Sequence, residues 1–365
     1  MKNVVVLDGN RFLVADPHGD VGAGAEGLYA DDVRVLSRWR LQVNGQRPAL
    51  LGGDEDGAHH RWSVFGQVLD RGVGTAPTLS THRELRLSQA GMREVLTITN
   101  HGSESEQVLV RYEFDADFAD LFEVKKRTLG RADLIFARRI TPTSTTRQWW
   151  PDRGVHRFLA EEQPGAEAKD GTWRSGVEVS FSQRGVPGEN EVYFEVEIPP
   201  RSSWRLEARV MLLSNGLGEG GADPADVFDR AEADTRARLE RWQRDCPELD
   251  SPSAALTATY HRSVADLAAL RIPGIGGQRD GRDDALLPAA GLPWFMTVFG
   301  RDTLITCLLA VAFAPGLGRA ALRTLGQLQA TEDDPERDAE PGKILHELRS
   351  GKVAALAGTL PYYGS

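Results

Sequence analysis

In this chain of 365 residues, a two-residue hydrophobic alternation runs through the first part and then stops, and that change constrains the fold most. Val108, Val110, Tyr112 and Phe114 fall on one face of a strand, since successive side chains point to opposite sides. Val192, Phe194, Val196 and Ile198 repeat the pattern before Pro199-Pro200, and Trp204 to Leu213 returns after it. Turn signals punctuate the alternation. Asp8-Gly9-Asn10 separates Val4–Leu7 from Phe12–Ala15, and Asn44-Gly45 separates Leu36–Val43 from Arg47–Leu51. The polar run His101 to Ser105 separates Glu94–Thr99 from Val108–Phe114. Such dipeptides supply the positive φ of tight turns, so three hairpins are expected. Short strands over about 210 residues indicate an N-terminal antiparallel β-sandwich.

The pattern then becomes helical. Asn215 to Gly221 is glycine-rich, and Asp223-Pro224 begins a helix through Arg244, with proline at the first helical position. Its apolar side is Val227, Phe228, Ala231, Leu239 and Trp242; arginines and glutamates crowd the other face, as on a solvated connector. Further helices are expected over Ala254–Arg271, Leu304–Phe313, Arg319–Ala330 and Ile344–Arg349. Polar loops separate them, including Gly276–Pro288 and Thr331–Pro341. Leu304–Phe313 lacks strand alternation and is expected to be a buried helix. The reading is multidomain β + α. Residues 1–222 form the sandwich, 223–250 a helical linker, and 251–365 the first helices of an α/α toroid, truncated.

A net charge of −10 argues against nucleic acid or an anionic membrane surface as partner, because both favour basic patches. It suits a neutral ligand. The apolar run at Val4–Leu7 is too short for a signal peptide, and no run reaches the roughly 18 residues of a membrane span. Two cysteines, Cys246 and Cys307, are too few for a disulfide framework, and Cys307 falls within the apolar helix as a buried thiol. A cytoplasmic setting is expected.

The stretch Gly291-Leu-Pro-Trp-Phe-Met-Thr-Val-Phe-Gly-Arg-Asp-Thr-Leu-Ile-Thr306 concentrates the chemistry. Gly300 delivers Arg301 and Asp302 to the start of the apolar helix, near Trp294 and Phe295. Asp302 reads in two ways: as an N-cap, whose oxygen accepts an orphan backbone N–H, or as a carboxylate placed for acid chemistry on a sugar. Trp294 and Phe295 would stack on a pyranose ring or pack beneath the motif. His346-Glu347 is half of a zinc motif without the second histidine, so His346 is read as a donor to a sugar hydroxyl or as a structural histidine. Arg301 and Arg349 are expected to orient carboxylates or sugar oxygens, or to form ordinary ion pairs. Asp117, Asp120 and Glu123 are read as a solvated corner in preference to a calcium site. Trp149-Trp150-Pro151 is a loop for sugar stacking or a packed corner. Glu161 to Gly171 is expected to be an exposed loop. Phosphate-loop and dinucleotide fingerprints are absent from the sequence, and neither a cofactor nor a metal is expected.

The 291–306 stretch resembles the signature of bacterial glycogen-debranching-like proteins, the amylo-α-1,6-glucosidase group. Asp338-Ala-Glu-Pro-Gly-Lys-Ile-Leu-His-Glu-Leu-Arg349 is similar to that group's second signature, with Ala339 where an acid is expected, and Tyr362–Ser365 to the start of a third. Gly27-Leu-Tyr-Ala-Asp-Asp-Val-Arg-Val-Leu-Ser37 and Asp117-Phe-Ala-Asp-Leu-Phe-Glu-Val124 resemble the β-rich domain before the catalytic one. The resemblance implies an (α/α)6 glycoside hydrolase acting on an α-glucan with inversion. Asp302 would be the general acid, and Trp294, Phe295, Arg301, His346 and Arg349 would serve the substrate; Glu340 and Glu347 are read as serving sugar hydroxyls or as holding arginine and lysine neighbours. It implies a glutamate as general base from a later part of the barrel. At about 11–12 residues per helix, only three or four helices of such a barrel are expected here, and the chain alone is expected to be inactive. Two alternatives stand beside this reading: a non-catalytic carbohydrate-binding protein, and a hydrolase of small, mannosylglycerate-like glycosides.

Overall fold

The computed structural model describes residues 3–54, 59–69, 77–129, 145–151, 154–162, 173–213, 223–274, 286–352, 354 and 361–364. The glycine-rich stretch at 215–221, most of the loop at 276–288, most of the loop at 161–171 and Ser365 lie outside these residues.

Strands β1 (Val4–Asp8), β2 (Arg11–Ala15), β3 (Gly27–Ala30) and β4 (Val33–Leu36) pair in sequence as an antiparallel meander. The first turn is the expected one, with Gly9 at φ 60°. β5 (Arg38–Val43) then leaves for a second sheet, while β6 (Ala49–Asp54), β7 (Arg61–Val68), β8 (Leu79–Ser88) and β9 (Gly91–Asn100) build a third. β10 (Glu106–Asp115) crosses back beside β5, and β11 (Ala119–Asp120) closes the first sheet and leads into α1 (Leu121–Leu129). β12 (Thr145–Trp150), β13 (Val155–Glu162) and β14 (Trp173–Phe181) extend the third sheet. β15 (Val186–Pro187) and β16 (Glu191–Ile198) extend the second, and β17 (Ser203–Leu213) fills the gap between β14 and β9.

The result is an eight-stranded sheet, β12-β13-β14-β17-β9-β8-β7-β6, and a four-stranded one, β15-β16-β10-β5. The alternating residues of β10 and β16 face those of β8, β9 and β17 in one apolar core. Two of the three expected hairpins are not ladders. The Asn44-Gly45 turn forms, with φ of 53° and 71°, but β6 pairs with β7 rather than β5. Asn44 docks on β10 instead: its N–H donates to the Leu109 carbonyl at 2.8 Å, and its Oδ1 accepts from the Leu109 N–H at 2.9 Å. β9 and β10 likewise fall in different sheets. Each has one apolar face, and stacking buries both faces where side-by-side pairing would leave them open.

The first sheet is a middle layer. Val4, Val6, Leu13 and Ala15 belong to the sandwich core, whereas Leu7, Phe12, Val14 and Tyr29 pack on residues from 269 onward. Both faces of β2 are buried from Phe12 to Ala15, and β1 is buried at Val4, Val6 and Leu7 but open at Val5, so most of these apolar residues have a core to enter.

Helix α2 (Pro224–Asp245) follows the sequence expectation closely, capped by Asp223, whose Oδ1 accepts the Ala225 N–H at 2.9 Å. It is docked rather than solvated: Phe228, Thr235 and Trp242 are buried, and Asp229 and Glu232 pair with Arg93 of β9. α3 (Ala254–Ala269) stops two residues early, because Arg271 and its neighbours form β18 (Arg271–Pro273) against β19 (Leu286–Pro288). β20 (Val298–Phe299) runs directly into α4 (Gly300–Leu309), and α5 (Pro315–Gln327) begins at its proline. The expected helix at 344–349 is strand β21 (Glu347–Leu348), antiparallel to β20. Six residues after a glycine at φ 93° are too few for a stable helix, and pairing with β20 satisfies their backbone.

The expected burial of 304–313 is only partial. Cys307 is buried, with its thiol pushed up to about 11 by burial, but Leu308 and Leu309 are 71 % and 77 % exposed. Ile305 of the same helix and Val311 just beyond it are exposed as well. No helix among the described residues is long and apolar enough to cross a membrane.

Candidate functional site

The site begins with a loop that folds back on itself. The N–H of Gly291 donates to the Phe295 carbonyl at 3.0 Å and the N–H of Phe295 to the Gly291 carbonyl at 2.9 Å. β20 follows, paired Val298 to Leu348 and Phe299 to Glu347, and the Gly300 N–H extends the ladder to the His346 carbonyl at 3.1 Å. The hydroxyl of Thr303 donates to the Pro288 carbonyl at 3.1 Å and anchors the start of α4.

Asp302 is therefore the third residue of α4, and it is exposed. The N-cap reading fails. Phe299 occupies the cap position with no side-chain hydrogen bond, because the helix starts at Gly300 straight out of the strand. Arg301 is also exposed, and adjacent helical residues do not face each other.

Aromatic rings form a row through Phe299, three residues before Asp302. Phe295 meets Phe299 edge-on at 5.7 Å, Phe299 meets His346 at 5.6 Å, and His346 meets Tyr362 at 6.3 Å. Phe295 is 43 % exposed, with the Lys125 ammonium of α1 5.4 Å from its ring centre. Trp294 differs: it is partly buried and packs into the interface core with Leu292 and Met296.

Glu347 and Arg349 are buried. Arg349 Nε donates to Glu347 Oε2 at 2.9 Å, its Nη1 to Asp32 Oδ1 at 3.2 Å and its Nη2 to the Trp294 carbonyl at 3.0 Å. The guanidinium also lies 5.0 Å from the Phe122 ring centre and 5.3 Å from that of Phe299. Burial works against its charge, but Asp32 and Glu347 more than offset this, and its pKa is raised. Glu340 is exposed, paired with Lys343 at 3.3 Å in the preceding turn. No described contact joins it to the cluster. The structure thus brings Trp294, Phe295, Arg301, Asp302, His346, Glu347 and Arg349 to one strand pair and leaves Glu340 aside.

A cleft of about 320 Å³ opens at the same junction, lined by Asn10 and Asp31 on one side and Ile272, Thr297, Leu348 and Ser350 on the other. Asp302 is not among its lining residues. Among the described residues no three His, Cys, Asp or Glu side chains stand together as a metal site.

The 117–123 corner is not solvated. Asp117 pairs with Arg34 at 2.5 Å, Asp120 is buried and accepts the Phe122 N–H at 2.9 Å, and Glu123 is buried against Arg127. Trp149 and Trp150 sit on edge strand β12, where Trp149 lies tilted against His156 at 4.3 Å and the Arg157 guanidinium covers the Trp150 ring at 4.0 Å. They lie in a strand rather than in the expected loop.

Residues 6–209 match the model for the N-terminal domain of (some) glycogen debranching enzymes. The chain belongs to that family. The debranching-type β domain thus contains both motifs that meet the helical part, Gly27–Ser37 and Asp117–Val124. No curated protein matches the sequence. Among solved structures, a candidate kojibiose phosphorylase from human microbiome aligns over 95 % of this chain at TM-score 0.56 and 9 % identity. The chain spans 49 % of that structure's length, and the likeness is one of fold. A candidate aldose 1-epimerase from Escherichia coli K12 aligns over 58 % of this chain and 98 % of its own, at TM-score 0.33 and 9 % identity. A 4-alpha-glucanotransferase from Thermococcus litoralis aligns over 57 % and 37 %, at 0.27 and 8 %. The scores of these two are too low to bear on the fold.

Sequence reading missed Asp32, Phe122, Lys125 and Phe299 as neighbours of the site. Asp31-Asp32 is a two-residue turn with φ of 51° and 61°, and two aspartates in place of Asn-Gly were the available signal.

Proposed function

We propose that this chain carries the β domain and the acid-bearing unit of an α-glucan hydrolase of the glycogen-debranching type. One observation carries the reading. Asp302, free of any capping duty, stands exposed in the first turn of α4, three residues after Phe299, whose ring meets both the open ring of Phe295 and the imidazole of His346. Family membership supports a glucan as the ligand.

In this reading Phe295 offers a face to a glucose ring, and His346 and Arg301 donate to its hydroxyls. Asp302 passes its proton to the oxygen of an α-1,6 link as the bond to the anomeric carbon breaks. Water, deprotonated by a glutamate roughly 6.5–9.5 Å away, attacks from the opposite face and releases β-glucose. That glutamate is not assigned within this chain, so the chain alone would bind glucan without turning it over, and turnover belongs to the native polypeptide in which this chain is joined to the later part of the barrel. The domain division at 222 and 250 belongs to the same proposal, with residues from 251 onward as the opening of an (α/α)6 toroid. The exposed apolar side of α4 supports it as the surface where further helices would pack. Two free, buried cysteines are compatible with a cytoplasmic setting.

The test is glucose release from an α-1,6-branched dextrin by the native polypeptide, read by NMR for the anomer first formed. β-Glucose supports the reading; α-glucose, or no release, removes it.

A further inference from the structure

Asp32 and Arg349 are 317 residues apart and buried together. Asp32 comes from the β3–β4 turn of the debranching-type domain, and Arg349 directly follows β21, the strand that pairs with β20 at the base of α4. We propose that Asp32 is a positioning residue for the Asp302 site, acting through the Arg349 guanidinium. The proposal rests on the reading of Asp302 given above.

The geometry supports it in three steps. First, Asp32 is fully engaged. Its Oδ1 takes Arg349 Nη1 at 3.2 Å, its Oδ2 takes the Ser350 N–H at 3.1 Å, and its carbonyl takes the Leu121 N–H at 2.8 Å. It holds φ of 61° in a two-residue turn, a left-handed conformation that aspartate and asparagine enter more readily than other side chains. Gly351 completes the enclosure, since any Cβ there would press on Asp32 and on Asp120.

Second, Arg349 passes the constraint on in two directions. Nη2 reaches the Trp294 carbonyl at 3.0 Å and so fixes the Gly291–Phe295 loop just before its last residue, the exposed Phe295. Nε reaches Glu347 at 2.9 Å, and Glu347 is the β21 residue opposite Phe299, from which α4 departs with Asp302.

Third, the charges make the arrangement discrete. One buried guanidinium lies between two buried carboxylates and two aromatic rings. Removing one carboxylate alters the balance that holds the guanidinium in place, and a buried charge without its partner is costly. A small shift of a guanidinium bound to both the loop and the strand pair moves Phe295 and Asp302 relative to each other. Misplacement of about 1 Å can reduce turnover roughly a hundredfold.

The experiment compares Asp32→Asn with wild type in the native polypeptide, and uses Glu195→Gln on the exposed side of β16 as control. Asparagine tolerates the left-handed backbone and keeps the bond to Ser350, so the variant is built to fold. Amide hydrogen exchange is followed at Phe295, Gly300 and Glu347, and at Leu96 and Val110 in the sandwich core. kcat and KM on branched dextrin are measured in parallel. The expected result is at least tenfold faster exchange at the first three sites, no change at the last two, and kcat down by about ten- to a hundredfold with KM within about twofold. Glu195→Gln should match wild type. Unchanged exchange at Phe295 and Gly300, faster exchange everywhere, or a rise in KM at constant kcat would each overturn the proposal. Should wild type release no glucose, the hydrolase reading falls, while exchange still decides whether Asp32 holds the loop and strand pair.

Discussion

Gly300 and Leu345 are in backbone contact: a Cβ on Gly300 would lie well under 3.0 Å from the Leu345 carbonyl oxygen. This approach lets the chain leave β20 for α4 while the 344–349 segment runs alongside. Gly300→Ala should therefore destabilise the protein by about 1–3 kcal/mol through forced separation of the two segments. Helix propensity alone would make the same change favourable by about 1 kcal/mol. Urea unfolding gives the sign, and stabilisation would refute the close approach.

Trp294 and Phe295 should separate stability from binding. Trp294 packs in the interface core, so Trp294→Ala should lower the unfolding midpoint. Phe295 is 43 % exposed, so Phe295→Ala should leave the midpoint nearly unchanged and weaken dextrin affinity about tenfold, or about 1.4 kcal/mol. Calorimetric titration beside thermal melts measures both, and the opposite assignment would reverse the roles of the two rings.

A buried polar network ties the sandwich together. Glu94 accepts from Arg83 Nε at 2.8 Å, Trp39 Nε1 at 2.6 Å and the Tyr112 hydroxyl at 2.7 Å. Arg83 also holds Asp20 at 2.6 Å. Glu94→Ala leaves Arg83 with one carboxylate inside the core and should cost about 3–5 kcal/mol. A loss under 1 kcal/mol in urea unfolding would show that water enters the network.

His156 gives the fold an acid sensitivity. Burial, between Phe114 and Trp149, pushes its pKa down from 6.5 to about 4. Above the unfolded value of 6.5 both states are neutral and the site contributes no pH dependence. As pH falls from 6.5 to about 4, the unfolded chain takes the proton first, and stability drops by up to about 3 kcal/mol before levelling off. His156→Phe should remove that part of the slope. A slope identical in the variant would assign the sensitivity elsewhere.

The sequence made local structure legible where one face decides it. The alternation of β10 and β16 and the proline start of α2 appear as expected, because each burial pattern belongs to one element. Long-range pairing was less legible. Asn44-Gly45 marks a reversal but cannot say that Asn44 docks on Leu109 while β6 joins the other sheet. Ile344–Arg349 has apolar residues that suit a helix or a strand, and only contact with Val298–Phe299 makes it a strand. The site motif gave Asp302 and Phe295 their setting. Its partner in the other half, Asp32, lies 317 residues from Arg349, and no local pattern links the two.

Asp302 carries the central claim, and Asp302→Asn in the native polypeptide tests it most directly. Glucose release from an α-1,6-branched dextrin and affinity for the same dextrin are measured side by side. Loss of release with affinity within about twofold is the expected result, since asparagine keeps the shape and cannot donate the acid proton. Release at the wild-type rate would show that Asp302 is not the acid and would contradict the account.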